Sequence, residues 1–344
     1  MTTAARSARR PTVALLIFTR NDLPAAWEVV RRIAGPVDEV VVVDSSDPAQ
    51  FEVGRRGAPP EPPVRVVRCL PTGYIDIVIP FGVAHVRSDW TLRLDTDEEV
   101  TPDLWERLLR LDDVGGYLVP RWEAQLGSST THLRLFRTRS YAPATPAYDH
   151  ARIRGPVREL PRSERIVHHA DFRAYEGRGE KAGRNVGPES YERPFTRAYA
   201  KAVLFGSSGA PSSRGGEPLG PISSRLVLAV DALRTWLSTG TWRSARFVWR
   251  YGLARRAFVE SLSPADQERR LTIAGEIRAS GSMTTYLGFD DPGYLAKLTA
   301  EWDWSADGPV LLDRLLQYRH AHGRPVASLS DLGSRARTQF QPSA

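Results

Sequence analysis

Residues 89–98, with the sequence DWTLRLDTDE, decide the fold of this chain. The apolar run Trp90–Leu94 has the length of a buried strand, and an acidic cluster, Asp95–Glu99, follows it directly. Thr101-Pro102 then indicates the start of a helix that runs to about Arg110, with proline in its first turn. The stretch therefore predicts a buried strand that ends in carboxylates and leads into a helix.

Similar strand-length runs lie upstream of this stretch. Val13–Phe18 and Glu39–Val43 are continuous apolar runs, and Asp22–Ile33 between them carries apolar residues at helical spacing. Val64–Leu70 indicates a third strand, which makes Trp90–Leu94 the fourth. Strands that alternate with helices favour an α/β fold with a mostly parallel sheet, in which ligands bind at the carboxyl ends of the strands.

The rest of the chain divides into a loop-rich part and a helical part. Val114–Pro120 and Thr131–Phe136 indicate two more strands, and proline, glycine and charge then break the pattern up to about Gly187, as is typical of active-site loops. Helical periodicity returns in Ile222–Phe258, Asp266–Ile277 and Pro309–His320. We expect a sheet-containing domain at 11–205, a flexible linker at 206–221, a helical region at 222–326, and disordered tails at 1–10 and 327–344.

Composition sets outer limits on the function. At 344 residues with 41% apolar content, the chain is long enough for one large core or two modest ones. Cys69 is the single cysteine, so no internal disulfide or cysteine metal cluster can form, which fits a reducing compartment. No apolar run approaches the roughly 20 residues that span a bilayer, and we expect a cytoplasmic protein. The net charge of +7 fits anionic partners, and it fits solvated arginine-rich faces equally well.

Three polar clusters each follow a predicted strand. Thr19–Asp22 follows the first strand, Asp44–Asp47 the second and Asp95–Asp97 the fourth, so we expect all three at one rim of the sheet. Asp95 and Asp97 are two residues apart in an extended stretch and therefore point the same way. Mg²⁺ and Mn²⁺ prefer such oxygen ligands, together with phosphate and water. The alternative is that these acidic residues only stabilise the positive end of the following helix.

Three motifs in this part of the chain resemble family 2 inverting glycosyltransferases of GT-A fold, in particular the bacterial branch that builds lipopolysaccharide cores and other cell-surface glycans. The motifs are Leu15–Asp22, Val40–Ser45 and Asp89–Glu98. The resemblance implies a GT-A-like domain that moves a sugar from a nucleotide-diphosphate sugar to a hydroxyl acceptor, with inversion and with Mg²⁺ or Mn²⁺. One departure is Ile79-Pro80, where family members commonly have Arg-Asn, and it leaves open a different donor or an inactive relative.

The resemblance also implies roles for the residues of the rim. A nucleotide-sugar pocket would be lined by Phe18, Thr19, Arg20, Asn21, Asp44 and Asp95. Asp97 would hold the metal, with Asp95 and His169 as further candidate ligands. Asp44, which would contact the base or ribose, equally fits a turn-forming aspartate at the end of a strand. His169 belongs to a histidine pair, His168-His169, of which either member can ligate Mn²⁺ or be merely structural.

Inversion at the anomeric carbon requires a base on the acceptor side, normally a carboxylate. Glu159 is the first candidate, because Gly155–Glu159 resembles the family's Val-His-Glu pattern with Arg158 in place of the histidine. Asp149 is the second candidate. Either of them also fits a surface carboxylate paired with a nearby arginine. Further basic residues would clamp the diphosphate or remain solvated: Arg173, Arg178, Lys181 and Arg184.

Aromatic and arginine residues alternate in the helical stretch Leu226–Phe258. They fit a membrane interface, which would suit a lipid-linked acceptor, and they fit helices packed on the catalytic domain. The acceptor is otherwise a glycan or a small molecule, and we expect no nucleic-acid partner. Two other functions remain as alternatives: a nucleic-acid or membrane-binding module on an inactive transferase scaffold, and a nucleotidyltransferase. The second alternative usually has a glycine-rich phosphate loop after the first strand, and Thr19–Asp22 lacks glycine.

Overall fold

The computed structural model describes residues 10–33, 35–59, 61–72, 75–142, 152–169, 221–304 and 311–332. The first half of the chain alternates between strands and helices: β1 (Val13–Thr19), α1 (Leu23–Ile33), β2 (Glu39–Asp44), α2 (Pro48–Gly54), β3 (Val64–Arg68), α3 (Ile79–Ala84), β4 (Trp90–Leu94), β5 (Glu98–Val100) and α4 (Pro102–Leu108). Strands then follow: β6 (Gly116–Glu123), β7 (Ser128–Arg137), β8 (Tyr141–Ala142), β9 (Arg152–Ile153), β10 (Val157–Glu159) and β11 (Ile166–His168). The C-terminal region is helical: α5 (Pro221–Thr239), α6 (Trp242–Glu260), α7 (Pro264–Ala279), α8 (Met283–Leu287), α9 (Pro292–Glu301) and α10 (Leu311–His322).

The strands build a mixed, mostly parallel sheet in the order β3-β2-β1-β4-β7-β6-β11-β5, and β10 pairs with β6 as well. The first four of these run parallel to one another, whereas β7 is antiparallel to both of its neighbours. The carboxyl ends of β1, β2 and β4 therefore lie at one edge, which we call the rim. The predicted α/β fold with a mostly parallel sheet and a C-terminal helical region is confirmed.

The central strands are buried on both faces. Every residue of β1 is buried, and alternate side chains enter two different hydrophobic clusters. Leu15 and Ile17 pack with Trp27 of α1 and Leu104 of α4 on one face. This arrangement explains the continuous apolar runs in the sequence, because a parallel sheet needs a covering layer on each side.

The C-terminal helices supply the second covering layer. Leu16 and Phe18 of β1 belong to the same cluster as Ile277 of α7, Leu298 of α9 and Leu316 of α10. At the carboxyl end of β3, the backbone N–H of Leu70 also donates to Thr299 Oγ1 at 3.0 Å. The helical region is therefore part of the core that holds the sheet in place.

Several elements differ from the sequence-based expectation. Helices α2, α8 and α9 were not predicted, because all three are short and lack clear periodicity. The predicted helical segment 222–258 is broken at Gly240, whose φ of +69° lies in the left-handed region that glycine adopts readily. A short 3₁₀ helix, Leu329–Leu332, lies within the stretch expected to be a disordered tail.

None of the helices within the described ranges is long and apolar enough to cross a bilayer. The expected linker lies outside those ranges except for its last residue, and so do residues 1–9 and 333–344 of the expected tails.

The single cysteine provides a test of how tightly the helices cover the sheet. Burial raises the pKa of Cys69 to about 12, so at pH 8 only roughly one thiol in ten thousand is ionised. We expect the folded protein to resist iodoacetamide at pH 7 to 9 and the urea-unfolded protein to react completely, as measured by intact mass. Val53→Cys, at a side chain that is 69% exposed, is the reactive control. Rapid labelling of Cys69 in the folded protein would show that the sheet and helices separate readily.

Candidate active site

The loops after β1 and β2 are tied together at the rim. The Asn21 N–H donates to Ser46 Oγ at 2.7 Å, and the Asn21 amide exchanges two hydrogen bonds with Asp47, of 3.1 and 2.9 Å. Asn21 has a φ of +56°, a conformation that asparagine tolerates better than most residues. The Ser45 N–H also donates to the carbonyl of Thr19 at 3.0 Å. The two loops therefore form one continuous wall.

Asp44 at the end of β2 is fully buried and has partners inside the protein. One carboxylate oxygen accepts from Arg68 at 2.5 Å and the other from Ser46 Oγ at 2.5 Å. Burial raises the pKa of Asp44, although the hydrogen bonds from Ser46 and the charge of Arg68 oppose the rise. The prediction that Asp44 contacts the nucleotide remains a prediction, and in the structure this carboxylate organises the wall around it.

Arg68 lies between two aromatic rings that the sequence analysis did not single out. Its guanidinium carbon is 4.4 Å from the centre of the Phe51 ring and 4.2 Å from that of Trp304. Trp304 follows α9, so the C-terminal region reaches the rim. Apart from a tryptophan in a short connection, nothing in the sequence indicates this contact, because Arg68 and Trp304 are more than two hundred residues apart.

The acidic cluster after β4 is joined to β6 and β11. Asp97 Oδ2 lies 3.2 Å from His168 Nε2, and His168 Nδ1 lies 2.5 Å from Glu123 Oε2. Burial would lower the pKa of His168, but the hydrogen bonds with Asp97 and Glu123 outweigh it and raise the pKa to about 9. Burial would likewise raise the pKa of Asp97, but the hydrogen bond and charge of His168 lower it. Asp97 is thus an ionised carboxylate whose side chain is 43% exposed at the rim.

Further ion pairs connect the acidic cluster to β6 and β7. Arg134 of β7, 1% exposed, donates to Asp95 at 3.0 Å and to Glu98 at 3.1 Å. Arg121 of β6 contacts Glu98 at 2.8 Å and Glu123 at 3.5 Å. These contacts complete a ring that runs from Asp95 through β5, β6 and β11 back to Asp97.

The ring carries an excess of negative charge. It contains four carboxylates but two guanidinium groups and one imidazole: Asp95, Asp97, Glu98 and Glu123 against Arg121, Arg134 and His168. The net charge is −2 with neutral histidine and −1 with charged histidine. Asp22 adds another carboxylate close by, because Thr96 Oγ1 donates to it at 3.5 Å. An arrangement of this kind attracts a cation.

The other predicted residues of the pocket have different environments. The Phe18 side chain points into the core, where it packs against Val43 and α3, so only its backbone borders the rim. Thr19 is 7% exposed, and its hydroxyl has no hydrogen-bond partner among the described residues. Arg20 is exposed beside it. The structure therefore brings Thr19, Arg20 and Asn21 to the same edge as Asp95 and Asp97.

His169 and His168 point to different partners. The ring of His169 is half exposed and lies 2.8 Å from Glu99, whereas the ring of His168 lies against Asp97. In β11, Ile166 and His168 are the buried residues, as strand alternation requires. The geometry at Asp97 therefore favours His168 over the predicted His169 as the nearby imidazole.

The structure does not bring Glu159 to the rim. Glu159 is exposed and pairs with Leu118 on β6, whereas His168 pairs with Glu123 on the same strand. Five residues separate these positions, which is roughly 16 Å along a strand. Asp149 and the predicted basic residues Arg173, Arg178, Lys181 and Arg184 lie outside the described residues.

The departure at Ile79-Pro80 has a structural explanation. Ile79 is 6% exposed and belongs to the cluster that the C-terminal helices cover, and Pro80 lies in the first turn of α3. The isoleucine therefore contributes to the core.

The Arg68–Asp44 pair generates a test of the wall. Arg68→Met leaves a buried carboxylate without its cation, and we expect the free energy of unfolding to fall by about 3 kcal/mol at pH 8. The pKa of Asp44 is raised in the folded state, so this carboxylate takes up a proton on folding as the pH is lowered. The stability lost by Arg68→Met should therefore shrink as the pH falls towards 5. Urea denaturation at the two pH values measures both effects. Arg55→Met, which breaks an exposed pair with Glu52, is the control and should cost less than about 0.5 kcal/mol. An equal loss of stability for Arg68→Met at both pH values would contradict the pairing of Arg68 with a buried Asp44 carboxylate.

Two comparisons with known proteins found similarities to this chain. Residues 15–153, which span β1 to β9, match the family model described as Glycosyl transferase family 2. A solved structure of S. aureus TarS, residues 1–349, is 12% identical, with 74% of this chain and 93% of that chain covered and a TM-score of 0.37. No curated protein matches the sequence. The family model confirms the resemblance stated from the three motifs, because residues 15–153 include all three of them and are similar to family 2 glycosyltransferases.

Proposed function

We propose that this chain transfers a glycosyl residue from a nucleotide-diphosphate sugar to a hydroxyl group, with inversion and with a divalent cation at Asp97. The observation that carries the proposal is the contact of Asp97 with His168, which Glu123 holds from the other side. Asp97 is ionised and half exposed, and it follows the C-terminal end of the central strand β4. This is the edge at which α/β sheets bind their ligands.

The residues around Asp97 fit Mg²⁺ or Mn²⁺. In an octahedral sphere with ligands at about 2.1 Å, neighbouring ligands are roughly 3 Å apart, and Asp97 Oδ2 and His168 Nε2 are 3.2 Å apart. The cation would displace the proton that the raised pKa keeps on His168 Nε2, and Glu123, at the other nitrogen of the ring, would orient the imidazole, as carboxylates commonly do for metal-binding histidines. No group of three or more Asp, Glu, His or Cys side chains in the described ranges is arranged to hold a metal ion. The diphosphate and water would therefore provide the other ligands.

The chain's own residues would place the donor along the rim. Asn21 and Asp47 would close the wall beside the nucleoside. Arg134 fixes Asp95, which would contact the ribose or the sugar. When bound, the cation would stabilise the negative charge that develops on the departing nucleotide diphosphate.

A carboxylate must take the proton of the acceptor hydroxyl. The distance of Glu159 from Glu123 along β6 gives no geometric support to Glu159 in this role. We therefore propose Asp149 as the base. Transfer by Asp149→Asn should fall far more than transfer by Glu159→Gln, with donor binding unchanged in both variants.

Removing the Asp97 carboxylate tests the function directly. Asp97→Asn should abolish Mn²⁺-dependent binding of the donor, because the neutral amide is a poor ligand for a hard cation. Calorimetric titration with UDP-, GDP- and dTDP-sugars, with and without Mn²⁺, measures the effect and identifies the nucleotide. Asp113→Asn is the matched control, because that carboxylate is 99% exposed and distant from the ring. Wild-type protein that is folded but binds none of these sugars would contradict the proposal.

The two histidines provide a finer test of the metal site. His168→Gln should weaken Mn²⁺-dependent donor binding by about 10- to 100-fold, whereas His169→Gln should leave it nearly unchanged, because that ring faces Glu99. Mn²⁺ titrations at fixed donor concentration compare the two variants. A larger loss of donor binding for His169→Gln than for His168→Gln would indicate His169 as the ligand instead.

A further inference from the structure

The antiparallel helices α5 and α6 form a hairpin with an unusual surface, which we call the α5–α6 hairpin. Nine large hydrophobic side chains are strongly exposed in the described part of the chain, and five of them lie in this hairpin: Leu226, Leu233, Trp236, Leu237 and Trp242, at 58%, 50%, 45%, 70% and 69% exposure. Leu226, Leu233 and Leu237 are spaced seven and four residues apart, so they form one stripe along α5. Such a concentration of apolar surface marks a site of contact with a partner or a membrane.

The same hairpin has a strongly positive net charge. Residues 221–260 contain seven arginines, no lysine and two acidic residues, a net charge of +5 out of +7 for the whole chain. Arg243, Arg246 and Arg250 are all exposed on α6 at spacings of three and four. The one acidic residue of α6, Glu260, is paired with Arg256. The surface therefore complements a partner that is apolar and anionic at once.

The two helices are rigidly packed against each other. A Cβ atom at Gly252 of α6 would lie 2.3 Å from Leu228 of α5, so the glycine allows the helices to approach closely. Val227 and Leu228 are buried on the inner side of α5, opposite the exposed stripe. The apolar stripe is thus a fixed feature of the outer face of the hairpin.

We infer that the α5–α6 hairpin is a docking surface for an anionic phospholipid bilayer. Leucine and tryptophan side chains of the hairpin would enter the headgroup region, where tryptophan is favoured. Arginines of the same hairpin would contact lipid phosphates. A bilayer presents a continuous layer of anionic headgroups directly above an apolar interior, which matches an apolar stripe beside arginines.

The contacts of the hairpin relate this surface to the active site. Its turn rests on the turn between β6 and β7, where Ser244 Oγ donates to Ser128 Oγ at 2.9 Å and Arg243 donates to the carbonyl of Gln125 at 3.4 Å. Glu123, which holds His168, is two residues before Gln125. A bilayer bound to the hairpin would therefore lie near the rim, and on the proposed function the acceptor hydroxyl belongs to a lipid-linked molecule.

Vesicle flotation of the full chain tests the docking surface without any measurement of transfer. We expect binding to phosphatidylcholine vesicles that contain about 30% phosphatidylglycerol, and at least about tenfold weaker binding to pure phosphatidylcholine. Raising NaCl from about 100 to about 500 mM should weaken the binding to the anionic vesicles. No binding to anionic vesicles would overturn the inference.

Exposed positions of the hairpin provide variants that are expected to fold. Leu237→Asn and Trp242→Ser should each weaken vesicle binding by roughly tenfold. Arg225→Gln and Arg243→Gln should each weaken it by about fivefold. Val53→Asn, 69% exposed on α2, is the matched control and should bind like the wild type.

Two results would overturn the assignment of this surface. One is equal vesicle binding by all four hairpin variants and the wild type. The other is a wild-type dimer in light scattering that Leu237→Asn converts to monomer, because a second copy would then cover the stripe. Donor titration of the wild type keeps the two proposals separate: vesicle binding without donor binding would refute only the proposed function.

Discussion

The burial of β1, β2 and β4 on both faces is the constraint on which the rest of the structure depends. A parallel strand made of valine, isoleucine and leucine must be covered on each side, and α1 and α4 cover only one of them. The C-terminal helices α7 to α10 cover the other. The helical region is thus needed for the stability of the sheet, and this same packing brings Trp304 to the rim.

The arrangement of the sheet also determines which residues meet at the site. Strand β7 inserts between β4 and β6 and carries Arg134, which neutralises part of the charge of the acidic cluster from behind. Strand β11 pairs with both β6 and β5 and thereby brings His168 next to Asp97, 71 positions earlier in the chain. The chemistry of the rim therefore depends on strands from both halves of the catalytic domain.

The sequence predicted the central strands well because their burial leaves a continuous apolar signal, and the three rim clusters followed from where those strands end. It did not predict α2, α8 or α9, because short helices leave little periodicity. The neighbours of Asp97 could be predicted only in part. Strand alternation in Ile166-Val167-His168 indicates a buried His168, but no local pattern indicates that Glu123 or Arg134 lies near Asp97. Glu159 was chosen from a motif, and its position depends on strand pairing, which a motif does not specify.

The distribution of charge links the two proposals. A net charge of +7 suggests a protein that attracts diphosphates everywhere, yet the ring around Asp97 is negative, and +5 of the total lies in residues 221–260. The proposed cation would lie between the carboxylates of the rim and the nucleotide diphosphate and would reduce the repulsion between them. The arginines of the hairpin belong to α5 and α6 and are not members of this ring. The protein thus separates the charge that would hold it at a bilayer from the charge that would hold its metal, and each can be changed by mutation without the other.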